Sequence, residues 1–170
     1  MEEMNELLIS NYNSIVSPND TVYFLGDIIM GDKLINIPSI MNRITKGKKI
    51  MCLGNHDGGF HNKDDSDAYI RKVKFYIANG FETVSRVVDI APGIKGSHFP
   101  WRGVPDREND RDYLQKHALV DDGVSVLLHG HSHQPEKVSG VRMIHCGVDA
   151  WEMKPAPLDE IKKLILENGW

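Results

Sequence analysis

Three short apolar, β-prone runs each end in a polar cluster that contains glycine, and this repeated grammar constrains the chain more than any other feature. Thr21-Val22-Tyr23-Phe24-Leu25 runs into Gly26-Asp27, and Lys49-Ile50-Met51-Cys52-Leu53 into Gly54-Asn55-His56-Asp57. Val124-Ser125-Val126-Leu127-Leu128 runs into His129-Gly130-His131-Ser132-His133. Short apolar runs bounded by turn residues are the pattern of buried strands, and polar groups at strand ends are where a rigid sheet displays a site. Helices are expected between them. Met4, Leu7, Leu8, Ile15 and Val16 give residues 4–16 a helical stripe that breaks at Ser17-Pro18-Asn19-Asp20. Residues 33–45 and 65–79 also suit helices, the second closed by Asn79-Gly80. The stretch 81–99 suits strands around an Ala91-Pro92-Gly93 turn, and helical character is expected around Arg111–His117. A strand over Val141–Val148 and a helix over Leu158–Asn168 complete the pattern. Strands that precede, alternate with and follow helices favour a layered α/β domain.

With 170 residues, no internal repeat and no linker, the chain is expected to form one domain, residues 1–170. Its 41 % apolar and 26 % charged residues supply a core without disulfides, so a metal belongs in a working site. A net charge of −4 argues against a broad nucleic-acid footprint. No run approaches the ~20 apolar residues of a membrane span, and the acidic start Met1-Glu2-Glu3 is unlike a signal peptide. The expectation is a cytoplasmic protein with no membrane partner. Cys52 and Cys146 lack metal-site spacing and suit buried free thiols.

Five of the eight histidines, His56, His98, His129, His131 and His133, fall at expected strand ends or in the turns beside them. If the chain stays extended there, His131 and His133 project to one face and reach a common ion, or two ions a few ångströms apart. Asp27, Asn55 and His98 add a carboxylate, a carboxamide and a further imidazole. That oxygen and nitrogen mixture suits Mn, Fe, Zn, Ni or Co and is wrong for a thiolate structural site.

The order Gly-Asp, Gly-Asn-His-Asp, the Ser97-His98-Phe99-Pro100 stretch, then Gly-His-x-His followed by Gly147-Val148-Asp149-Ala150-Trp151 resembles the calcineurin-like metallophosphoesterases. The similarity is greatest to their short, single-domain bacterial and phage members and covers nearly the whole chain, including Asn19-Asp20-Thr21-Val22-Tyr23 and Lys154-Pro155. It implies a four-layer αββα sandwich with a two-metal site at the sheet ends. In that resemblance Asp27 bridges both metals, Asn55, His98 and His131 complete the second, and His133 is a ligand of the first. His56 would contact the substrate phosphate and protonate the leaving oxygen. The implied reaction is hydrolysis of phosphomonoesters or phosphodiesters, nucleotide-derived ones among them, by metal-activated water.

The family begins with a strand ending in Asp-x-His, and no Asp-x-His occurs here. The chain is therefore expected to be N-terminally truncated relative to that pattern, with one complete metal site and weakened activity. The alternative is a catalytically impaired interaction module on the same fold. A missing strand would leave an open sheet edge, which a second copy in a homodimer or a rearranged segment would fill.

Other candidates have plainer readings beside the functional ones. His129 is expected to support the ligands by hydrogen bonding, and Asp57 either to orient His56 or to cap the loop after it. Arg102, Arg107 and Arg111 suit either a phosphate clamp or a solvated helix face with Asp106, Glu108, Asp110 and Asp112. Phe99, Trp101 and Trp151 suit core packing or base stacking. Asp64, Asp65 and Asp67 suit the first turn of a helix, and His61, His117 and His145 suit structural or exposed positions.

Overall fold

The structure is a computed structural model that describes residues 2–104 and 116–170. Thr21–Phe24 (β1), Lys48–Cys52 (β2) and Thr83–Ser85 (β3) form an all-parallel sheet in that order. The chain then changes sheet at Arg86. Val87–Ala91 (β4), Ile94–Ser97 (β5), Val126–His129 (β6), Val138–Gly140 (β7) and Met143–His145 (β8) form a second sheet in the order β4-β5-β6-β8-β7. It is parallel through β5, β6 and β8 and antiparallel at both edges. Among the described residues β1 pairs only with β2, so its other side is an open edge.

The four helices of the described residues are Glu2–Ile15 (α1), Lys33–Met41 (α2), Asp67–Ala78 (α3) and Leu158–Glu167 (α4). Their apolar faces divide between the sheets. Ile9, Tyr12 and Val16 with Ile37, Met41 and Tyr76 pack onto Met51 and Leu53, covering the parallel sheet. Ile161 and Leu164 of α4 pack onto Val126, Leu128 and Ile144 of the second sheet. Leu127, between Val126 and Leu128, points to the opposite face and meets Trp101 and Met143, as the two-residue period of a strand requires. Leu25, just past β1, belongs to the second core and Phe99, just past β5, to the first, so the two sheets are tied where the polar clusters lie.

Several expected boundaries move for local reasons. The helix expected to run to residue 45 stops at Met41, and Ile44 turns into the core at 4 % exposure before Gly47 at φ 73° opens β2. β6 begins at Val126, because the Asp122 carboxylate accepts the Val124 and Ser125 N–H groups (3.1 and 2.7 Å) and holds them in a turn. The single strand expected over Val141–Val148 is instead the end of a hairpin, with Arg142 at φ 50° between β7 and β8 and a 3₁₀ turn over Val148–Ala150. Asp64 and Asp65 precede the N-cap Ser66, so only Asp67 lies in the first turn of α3, and Asp64 is ion-paired with Arg86. Of the segment Arg111–His117, residues 111–115 lie outside the described residues, as do Asp106, Arg107, Glu108 and Asp110. No helix among the described residues is long and apolar enough to cross a membrane.

Candidate metal centre

The parallel sheet contributes its half of the site through backbone geometry. β1 ends in Gly26 at φ 93° and Asp27 at φ 53°, a left-handed pair that bends the chain sharply and aims the Asp27 carboxylate back at β2. Only glycine fits opposite it: a Cβ on Gly54 would overlap the Asp27 carboxylate, and one on Gly26 would lie 2.5 Å from His98 Nδ1. Buried Asp57 holds the two loops together, its Oδ2 accepting the N–H of Asp27 at 2.7 Å and of Gly54 at 2.8 Å. Neither expected role for Asp57 is the one observed: it joins the ends of β1 and β2 rather than orienting the His56 ring or capping the loop beyond.

The same contacts set the charge states. Burial raises the Asp27 pKa, but the hydrogen bond and charge of His98 and the His56 N–H, 2.8 Å from Oδ1, outweigh it and leave Asp27 below its ordinary value. Burial pushes Asp57 up, only partly offset by its two backbone donors.

The second sheet supplies imidazoles. His98, just past β5 and 2 % exposed, donates Nδ1–H to the Leu25 carbonyl oxygen at 2.7 Å. With Nδ1 so engaged, the ring presents Nε2 3.0 Å from Asn55 Oδ1, 3.2 Å from Asp27 Oδ2 and 3.1 Å from His131 Nδ1. Donor atoms of Asp27, His98 and His131 all lie within 4.8 Å of one another. A proton on Nε2 can bridge only one of these contacts at a time, whereas a divalent ion placed among the donor atoms would engage all of them together. The donor set therefore fits a borderline metal such as Mn, Fe, Zn or Ni.

Past β6 the alternation expected of an extended chain fails. His131 and His133 stand at φ 64° and 48°, in a turn rather than a strand. Only His131 joins the group. His133 is turned to Asp149, with Nδ1 3.1 Å from Oδ2. His129, still on β6, is expected to hydrogen-bond the ligands, but its Nε2 instead meets Ser139 Oγ at 2.7 Å and its Nδ1 the Gly130 carbonyl at 2.8 Å. Burial pushes its pKa down to about 4.

The remaining candidates sit around this group. His56 has its backbone N–H on Asp27 and its side chain at the exposed rim. Arg102 directs a guanidinium nitrogen to the Lys116 and Ala118 carbonyls, both 3.0 Å away, bracing its own loop. Phe99, Trp101 and Trp151 are buried, with Phe99 edge-on to His131 at 4.7 Å between ring centres. Burial raises the thiols of Cys52 and Cys146 to about 12. Two residues carry contacts that spacing did not suggest: His61, whose Nε2 lies 3.1 Å from the Asn55 carbonyl oxygen, and Asp149. Asp149 lies within the Gly147–Trp151 motif, but nothing in that motif points to His133.

Fold and site together define an α/β protein of two sheets whose strand ends converge on a carboxylate, a carboxamide and two imidazoles. Against known proteins, 97 % of the chain aligns at 34 % identity with 82 % of the Gene 66 protein of Mycobacterium phage L5. The chain belongs to the family of that phage protein. A shorter match, 39 % identical, joins 34 % of the chain to 32 % of the uncharacterized protein MJ1445 of Methanocaldococcus jannaschii. Among solved structures, AQ665 from Aquifex aeolicus, a protein of unknown function, shares the fold over 97 % of this chain and 87 % of its own, with a TM-score of 0.64 at 22 % identity. No family model matches the chain.

Proposed function

We propose that this protein is a metal-dependent phosphoesterase of the calcineurin-like type, hydrolysing phosphomonoesters or phosphodiesters. The observation that carries the reading is the Nε2 atom of His98, its ring fixed by the Leu25 carbonyl, with Asn55 Oδ1, Asp27 Oδ2 and His131 Nδ1 converging on it at 3.0–3.2 Å. Two sheets, with α1–α3 on one and α4 on the other, are in keeping with a four-layer αββα sandwich. Asp27, Asn55, His98 and His131 would hold the ion. A divalent cation so held supplies Lewis acidity to a phosphoryl oxygen and lowers the pKa of a water.

The chain's own residues do the rest. Leu25 fixes the His98 tautomer, Asp57 and His56 N–H fix the Asp27 carboxylate, and the exposed His56 ring is free to protonate a leaving oxygen. One ion per chain is expected, because His133 is paired with Asp149 outside the group. That pairing also favours a second reading, the catalytically impaired module that binds an ion without turnover.

Elemental analysis and the hydrolysis of bis-p-nitrophenyl phosphate and p-nitrophenyl phosphate, with and without Mn²⁺, test both. We expect one ion per chain, its loss in His98→Ala, and Mn²⁺-dependent turnover that falls about 100-fold in His56→Ala. Retention of the ion in His98→Ala overturns the site. An ion without turnover leaves the second reading. The open edge of β1 is where a second copy would pair, and a clean monomer in light scattering removes that reading.

A further inference from the structure

Outside the metal group, one cavity stands against the loop that carries His56. Its volume is about 270 Å³, and it lies between the start of α2 and the middle of α3, lined by Lys33, Leu34, Gly58, Lys72, Phe75 and Tyr76 among others. Gly58 is two residues from His56, and its N–H donates to Tyr76 Oη at 3.0 Å, so the cavity wall and the rim of the metal group are one backbone segment. The Lys72 stem crosses that segment: a Cβ on Gly58 would lie 3.2 Å from Lys72 Cδ, and one on Gly59 3.1 Å from Lys72 Cβ.

The lining is chemically lopsided. On a chain of net charge −4, Lys33 and Lys72 form no ion pair with any described residue. Asp32, the one acid in the wall, is engaged in capping α2 through the Leu34 N–H at 3.0 Å. The same lining holds the half-buried Phe75 ring and Leu34, which is 63 % exposed. Large apolar side chains exposed beside unpaired cations suit a ligand that is itself a flat ring joined to an anion. The volume is close to the lower end of small-molecule sites and too small for a peptide or an oligonucleotide strand.

We infer that this cavity is a subsite for a nucleotide portion of the ester that is not itself cleaved, with the base against Phe75 and Leu34 and that portion's own phosphate held by Lys33 and Lys72. This rests on the phosphoesterase reading for its link to catalysis, but the binding stands on the cavity alone.

Calorimetric titration of the intact protein with adenosine 5′-monophosphate, adenosine and inorganic phosphate tests it. The nucleotide should bind at least about tenfold more tightly than either part. Lys33→Gln with Lys72→Gln, which keeps most of the lysine stems, should weaken it about tenfold while Mn²⁺ affinity is unchanged. Lys74→Gln, on the same helix but outside the cavity, should leave it as it was. Equal binding of nucleotide and phosphate, no loss in the double variant, or an equal loss in Lys74→Gln would each overturn the subsite. Nucleotide binding as expected in a protein that holds no Mn²⁺ would sink the phosphoesterase reading and leave the subsite standing. Mn²⁺-dependent turnover with lysine-independent nucleotide binding would do the reverse.

Discussion

The two sheets build their halves of the site by different means. At the ends of β1 and β2 the backbone is held by a side chain: Asp57 binds the N–H of Asp27 and of Gly54, and Asp27 in return binds the N–H of His56. At the end of β6 no carboxylate among the described residues bridges the strands in this way. The turn from Gly130 to His133 runs through two left-handed residues, and its histidines part, one to His98 and one to Asp149. A ligand's direction is thus fixed by what holds its backbone at least as much as by its place in a motif.

The largest effect should come from cutting the tie between β1 and β2. Asp57→Ala leaves two buried N–H groups without an acceptor, which costs roughly 3 kcal/mol of stability and, by freeing Asp27, about 10- to 100-fold in Mn²⁺ affinity. Asp57→Asn should be nearly neutral in denaturant melts. Its Oδ1 can accept both N–H groups, and its amide nitrogen takes the place of an oxygen that has no partner. If Asn proves as damaging as Ala, the charge of Asp57 matters and not its acceptor geometry.

A comparable but pH-dependent effect belongs to the β6 side. His129 is buried as the neutral ring, with a pKa lowered from 6.5 to about 4 by desolvation. The unfolded chain therefore binds a proton before the folded one does. Stability is fully present above pH 6.5 and is lost as pH falls toward 4, by roughly 3 kcal/mol from this ring. Burial lowers His145 as well, in the same direction. Urea midpoints measured with EDTA present should fall across that window, and His129→Gln should flatten the slope. An unchanged slope would show that His129 does not carry the dependence.

The difference between the two halves also explains what could be read from the chain alone. The strands up to β2, the four described helices and the polar strand ends are legible because burial imposes a period on the sequence, and Asp27, Asn55, His98 and His131 come together as the strand-end grammar suggests. What spacing did not reveal depends on single dihedral angles and long-range contacts. The left-handed turn at residues 131–133 breaks the alternation, Arg142 divides the last strand region, and Asp57 engages a backbone group 30 residues away. No local pattern encodes these, because each is set by how the sheets dock.

The smallest effect tests the comparison most directly. If His133 stands outside the metal group, His133→Ala should change Mn²⁺ affinity by less than about threefold, well short of the 10- to 100-fold that supporting residues of a metal site command. Asp149→Asn should do no more, since it disturbs a pair whose imidazole side chain is 65 % exposed. Competition against a fluorescent chelator measures both. A 100-fold loss in His133→Ala would mean that the ion draws His133 away from Asp149 when it binds. The β6 turn would then be a movable arm opposite a rigid β1 and β2, and Asp149→Asn, by releasing that arm, should tighten the ion rather than loosen it.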